Sequence, residues 1–126
     1  MIISKSLPGE YLTEISDGTR SAEVDAPVEK GGGGKGFSPF ALLEASLCSC
    51  INITLRHYAK SHDIPLERVE TTVTLMSDKD GAAFECVAKL PKGLTEEQQK
   101  RLRGAMKGCP IHALLTKPVT FEMKSE

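Results

Sequence analysis

The chain has no tryptophan, and aromatic residues make up 5% of its 126 positions. Aromatic platforms for stacking nucleic-acid bases are therefore not expected. Neither sign of charge dominates: the formal net charge is −1, with no long single-sign run. That removes the electrostatic case for a nucleic-acid partner or an anionic membrane surface. The longest helical run still contains Glu44 and Arg56, so no membrane span is expected. The opening MIISKSLPGEY breaks at Pro8-Gly9 before an apolar signal core forms. The expected compartment is thus the cytoplasm, where the four cysteines suit thiols, metal ligands or catalysts better than a disulfide frame. Internal repeats and low-complexity tails are absent as well. The length suits a single domain, 1–126, with one modest core.

The most informative stretch that is present runs from Ser38 to Lys60, SPFALLEASLCSCINITLRHYAK. Between Pro39 and Leu55 only Glu44 is charged. The run predicts a helix buried nearly all round, with Ser38 as N-cap and Pro39 at the first helical position. Residues 2–25 alternate in short segments around Ser16-Asp17-Gly18 and predict a hairpin. Residues 26–37, APVEKGGGGKGF, read as a loop. A phosphate-binding motif fails there, because Gly36 follows Lys35 where Ser or Thr belongs and Glu29 replaces the first Gly. Two readings remain for the loop: a flexible connector or lid, or backbone N–H groups from Gly31–Gly34 with Lys30 or Lys35 holding an anion.

Beyond the long helix, Val69–Leu75 and Phe84–Leu90 alternate around a turn at Ser77–Gly81 and predict a second hairpin. Thr95-Glu96-Glu97-Gln98 is a capping box opening an outer helix with Leu102, Ala105 and Met106 inward. Pro110 opens a short helix through Leu115. A final strand is expected with Val119, Phe121 and Met123 facing inward. Strands and helices are largely segregated, so the fold class is α+β, with antiparallel sheets packed on a long buried central helix.

The candidate chemistry lies in the cysteines. Cys86, between Phe84 and Ala88 on a strand's inward face, reads as core filler. Cys48 and Cys50 are two residues apart on a helix and point about 200° from each other. They cannot share a metal while the helix holds, and Cys109 with His112 does not complete a zinc set of four convergent ligands. Cys50 shares a slightly polar stripe with Ser46, Thr54 and His57, as a pocket wall would, although core filler is an equally natural reading. Cys48 stacks over Glu44, whose carboxylate is expected to raise its thiol. Cys109 falls at the N-cap of the short helix near Lys107, where the helix dipole favours a thiolate, so residue context alone makes it the more acidic thiol. A cysteine on a buried helix and another at a helix N-terminus suit a nucleophilic and resolving pair, but spacing does not bring them together.

Ser38-Pro39, the run Leu42-Leu43-Glu44-Ala45-Ser46, Cys50 downstream of it, and Cys109-Pro110-Ile111 before a short helix together resemble the OsmC/Ohr family, the osmotically induced and organic-hydroperoxide-resistance proteins. The resemblance covers nearly the whole chain. It implies an intertwined homodimer with the long helices at its centre, and thiol peroxidase chemistry without metal or organic cofactor. By position it makes Cys50 the peroxidatic and Cys109 the resolving cysteine, with a small-molecule hydroperoxide as substrate and an external dithiol as reductant. The chain departs from the organic-hydroperoxidase branch in two places. Phe40 stands where that branch has a Glu, and the sole Arg before the helix, Arg20, falls outside its early Gly-rich turn. Three functions follow for testing: a Cys50/Cys109 hydroperoxide reductase, a non-enzymatic dimer binding a small apolar or anionic ligand in an interface pocket, and, least favoured, a metal protein.

Overall fold

A computed structural model describes all 126 residues, which fall into two compact units, Met1–Leu43 and Glu44–Glu126. The first unit holds three short strands, β1 (Ile3–Ser6), β2 (Thr13–Ser16) and β3 (Ser21–Val24), in an antiparallel sheet of order β1-β2-β3. The predicted hairpin is its β2–β3 half, in register Thr13 with Val24 and Ser16 with Ser21. The Asp17 carboxylate ties the turn by accepting from the N–H groups of Thr19 at 2.8 Å and Arg20 at 2.7 Å. Those bonds, Arg20's first, hold its carboxyl below the ordinary range.

The glycine loop is neither loose nor available to a ligand through these donors. Asp25 is 4% exposed, and its carboxylate accepts from Ala26 N at 2.8 Å, Gly33 N at 3.1 Å and Lys35 N at 3.2 Å. The N–H groups of Gly31, Gly32 and Gly34 donate to the carbonyls of Val28, Pro27 and Ala26. Every amide from Gly31 to Lys35 is thus satisfied within the chain, and the anion that the loop holds is the protein's own Asp25. A Cβ at Gly32 would collide with the Ala26 carbonyl, and one at Gly36 with that of Glu23. The glycines there permit close backbone approach, which corrects the expectation of a flexible connector or an external anion site.

Helix α1 (Pro39–Ser61) begins in the first unit and continues through the second. Ser38 Oγ accepts from Ala41 N at 3.1 Å, and Pro39 occupies the first helical position. At the far end Asp63 adopts φ 52°, and Ile64 N–H closes onto the Ala59 carbonyl at 2.9 Å. Ile64 and Ala59 are both buried, the apolar contact that accompanies this helix stop.

In the second unit β4 (Glu70–Asp78) pairs antiparallel with β5 (Gly81–Lys89). The Asp78 carboxylate organises their tight turn through Asp80 N and Gly81 N. Thr95 and Gln98 form the predicted capping box of α2 (Glu96–Ala105), a 3-10 turn spans Met106–Gly108, and α3 covers Pro110–Leu115. The core joins Leu47, Ile51, Leu55 and Ala59 of α1 to Ile64, Leu66, Val73, Leu94, Leu102 and Cys109.

Two expectations are corrected. Helix α1 is buried along one stripe only, at every fourth residue from Leu47 to Ala59. Leu43 and Ile53 remain exposed, because one hairpin and two short helices cannot surround a helix of 23 residues. The C-terminal segment after Leu115 forms no strand, and Val119, Phe121 and Met123 are 56%, 80% and 88% exposed rather than inward. No partner strand pairs with it within the chain, and an unpaired strand does not form alone. No helix is long and apolar enough to cross a membrane.

Candidate functional site: a thiol pair at an apolar cleft

Helix periodicity places Ser46, Ser49, Cys50, Ile53, Thr54, His57 and Ser61 on one face of α1, along a cleft of about 860 Å³. The opposite wall is supplied by Gly104, Ala105, Gly108, Pro110 and Ile111. The predicted stripe of Ser46, Cys50, Thr54 and His57 is therefore a real wall, and Cys50 is half-buried within it.

Cys109 is brought to the same place. It is the N-cap of α3 and fully buried in the core. Its thiol lies close enough to that of Cys50 for each to shift the other's ionisation, and both cysteines are free. The fold thus unites two residues separated by 59 positions in the sequence, a juxtaposition that spacing alone did not provide.

The electrostatics reverse the expected order of acidity. Burial pushes the Cys50 thiol up, but the polar groups near it, Cys109 first and then the Ile111 N–H and Thr54, together outweigh burial and hold Cys50 below its ordinary value. Cys109 is raised, first by burial and then by the neighbouring Cys50. The N–H groups of His112 and Ile111 lower it, as anticipated for a helix start, but do not compensate. Of the two thiols the cleft-lining Cys50 is therefore the more readily ionised, and Cys109 the one that keeps its proton longer. Ile111, whose backbone contributes to both thiols, carries no side-chain signal that a sequence reading would single out.

The other two cysteines lie elsewhere. Cys48 Sγ donates to the Thr71 carbonyl at 3.1 Å on the β4 side of α1, beside the Asn52 Nδ2 bond to Val69 O at 2.8 Å. Glu44, expected over Cys48, instead accepts from Leu75 N at 2.9 Å. Cys86 is half-buried against the core, and burial followed by the nearby Cys48 raises its thiol. No group of three or more His, Cys, Asp or Glu side chains is placed to hold a metal ion.

The model of the family described as OsmC-like protein matches residues 32–124. The chain belongs to the OsmC-like family. The comparison with curated proteins finds no match. Among solved structures, an organic hydroperoxide resistance protein OsmC from Legionella pneumophila is 26% identical, with a TM-score of 0.68, covering 92% of this chain and 89% of that one. The organic hydroperoxide resistance protein OhrB of Bacillus subtilis is 25% identical, with a TM-score of 0.60 and the same coverages of 92% and 89%. A protein of Psychrobacter arcticus described as osmotic stress induced and of the detoxification response is 25% identical, with a TM-score of 0.74, covering 88% and 85%.

In this OsmC-like chain no Lys or Arg side chain lines the cleft. Arg20 pairs locally with Asp17 at 3.2 Å on an exposed turn, and Arg56 Nε donates to Asn52 Oδ1 at 3.0 Å, on the helix face that meets β4. At the end of the cleft farther from Cys50, Tyr58 stacks on His62 at 4.0 Å and accepts from Arg101 Nε at 3.3 Å, tying α1 to α2.

Proposed function

We propose that the protein is a cysteine-based reductase of organic hydroperoxides, with Cys50 as the peroxidatic and Cys109 as the resolving residue. The observation that carries this reading is the pair of neighbouring free thiols at the wall of an apolar cleft, in which the cleft-lining member is the more easily ionised. The names of the Legionella and Bacillus relatives point to the same chemistry.

The Cys50 thiolate attacks the terminal oxygen of the hydroperoxide. The O–O bond breaks, the alkoxide takes up a proton and leaves as the alcohol, and Cys50 becomes a sulfenic acid. Before this step the Cys50 charge helps to keep Cys109 protonated. Oxidation replaces that charge with a neutral group, which makes the Cys109 proton easier to remove. The Cys109 sulfur then attacks the sulfenic sulfur, water leaves, and a Cys50–Cys109 disulfide forms. An external dithiol reduces it by exchange and is itself oxidised. The apolar walls favour organic over small polar hydroperoxides.

The working form in this reading is a homodimer in the cytoplasm. Support comes from the exposed alternation of Val119, Phe121 and Met123, and from a second-unit sheet of only two strands, fewer than independent stability usually needs. A second copy would supply the missing strand partners. The test is consumption of an organic hydroperoxide with dithiothreitol as reductant: turnover is expected from wild type and none from Cys50→Ser. Equal traces from the two would overturn the reading. The cleft, with no Lys or Arg side chain along it, also suits a second reading, a non-catalytic apolar ligand site. In that case an apolar ligand raises the melting temperature equally with and without Cys50.

A further inference from the structure

Of the eleven glycines, Gly104 alone lies inside an α-helix, in the last turn of α2. Its backbone does not call for glycine, because its φ is outside the left-handed region. It does not stop the helix either, since the chain winds on through the 3-10 turn Met106–Gly108. Packing makes no demand on it: no atom of a neighbouring element lies within 4 Å of the point that a Cβ would occupy. The residue is exposed, and at such a position alanine is the better helix former. The missing side chain therefore weakens α2 and serves neither its winding nor its contacts.

What Gly104 faces is the cleft. It lines the wall opposite α1 together with Ala105 and Gly108, which share its helical face. One turn before it, Arg101 Nε donates to Tyr58 Oη at 3.3 Å. One turn after it, the point that a Cβ on Gly108 would occupy lies 4.0 Å from Thr54 Cγ2. The two walls thus run in opposite directions, with Gly104 between these crossings. Thr54 and Tyr58 are four and eight residues beyond Cys50, so Gly104 is level with a stretch about 6 to 12 Å along α1 from the reacting sulfur. On the α1 wall between Cys50 and this stretch, Ile53 is 58% exposed, an apolar side chain left for something in the cleft to cover.

We propose that Gly104 sets how long a substrate the cleft accepts. The side chain that it lacks leaves the passage between α1 and α2 in which the tail of an extended organic hydroperoxide lies when its peroxide end is at Cys50. The inference rests on Cys50 being the reacting thiol.

The test compares short and long reagents on wild type, Gly104→Ala and Gly104→Leu. Alkylation of Cys50 by iodoacetamide and by N-decyl iodoacetamide, read by peptide mass mapping, reports access without requiring turnover. In Gly104→Leu the ratio of the decyl rate to the iodoacetamide rate is expected to fall at least about tenfold, since excluding even one methylene group from an apolar pocket has an effect of that size. The preference for n-decyl over tert-butyl hydroperoxide, taken as the ratio of kcat/KM values, should fall in parallel. Gly104→Ala should show a smaller fall in both ratios and melt about 4 °C above wild type. Ratios equal to wild type in either folded variant overturn the proposal, and so does an equal slowing of both reagents. A change of oligomeric state in Gly104→Leu on gel filtration also overturns it, because the glycine would then be a packing contact between copies. A length-selective loss of alkylation in a protein that consumes neither hydroperoxide upholds the role of Gly104 and overturns the reductase reading instead.

Discussion

Cys48 and Cys50 stand two residues apart on one helix and face two different environments. On the sheet side, the Cys48 thiol donates to the Thr71 carbonyl, and its neighbour Cys86 is pushed up by burial and by Cys48. On the cleft side, Cys50 is lowered despite its burial by the neighbouring Cys109, the Ile111 N–H and Thr54. Desolvation raises every thiol, so burial alone does not distinguish a reactive cysteine from an inert one. What distinguishes them is what faces the sulfur: the Cys48 thiol donates to a carbonyl, whereas the groups beside Cys50 favour its thiolate.

The largest expected effect that would break this contrast is on turnover. Cys50→Ser should lower hydroperoxide consumption by at least about a hundredfold, whereas Cys48→Ser should leave it within about twofold, since the thiolate is the nucleophile. Comparable losses from both would erase the distinction between the two faces. Next in size, Cys109→Ser should allow a single oxidation and then stall. A dimedone adduct on Cys50, read by mass spectrometry, should accumulate in this variant and not in wild type. On the sheet side, Thr71→Val removes a hydroxyl that contacts Cys48 and donates to its carbonyl. It should cost about 1 kcal/mol of stability in urea unfolding and leave the alkylation of Cys50 unchanged.

The smallest effect sharpens the contrast within the cleft pair. Cys50 is lowered and Cys109 raised, so the thiolate fraction of Cys50 grows first as pH rises. Iodoacetamide should therefore modify Cys50 at lower pH than Cys109, and the buried Cys109 should follow only at higher pH. The reverse order would mean that the helix start at Cys109 outweighs its burial.

Much of this was legible in the residues, and the illegible part has a common cause. The N-cap at Ser38, the capping box at Thr95 and the helix start at Pro110 are local signals, and all three stand. The stripe of Ser46, Cys50, Thr54 and His57 follows from helical period alone and forms the cleft wall. The errors concern what a neighbour contributes. Cys109 was expected to be the more acidic thiol because its own segment favours a thiolate. The fold buries it and sets it beside Cys50, and neither effect is local. The glycine loop was expected to be loose or to bind an anion because Asp25 carries no motif that announces an internal carboxylate. Val119, Phe121 and Met123 alternate as a strand should, yet lie exposed, because a strand needs a partner that this single chain does not provide.

The most direct measurement is a peptide map of wild-type protein after one equivalent of an organic hydroperoxide with no reductant present. The expected product is a disulfide joining Cys50 to Cys109, with Cys48 and Cys86 still free thiols. A bridge through Cys48 or Cys86, or a Cys50 oxidised to the sulfinic acid beside an unmodified Cys109, would contradict it.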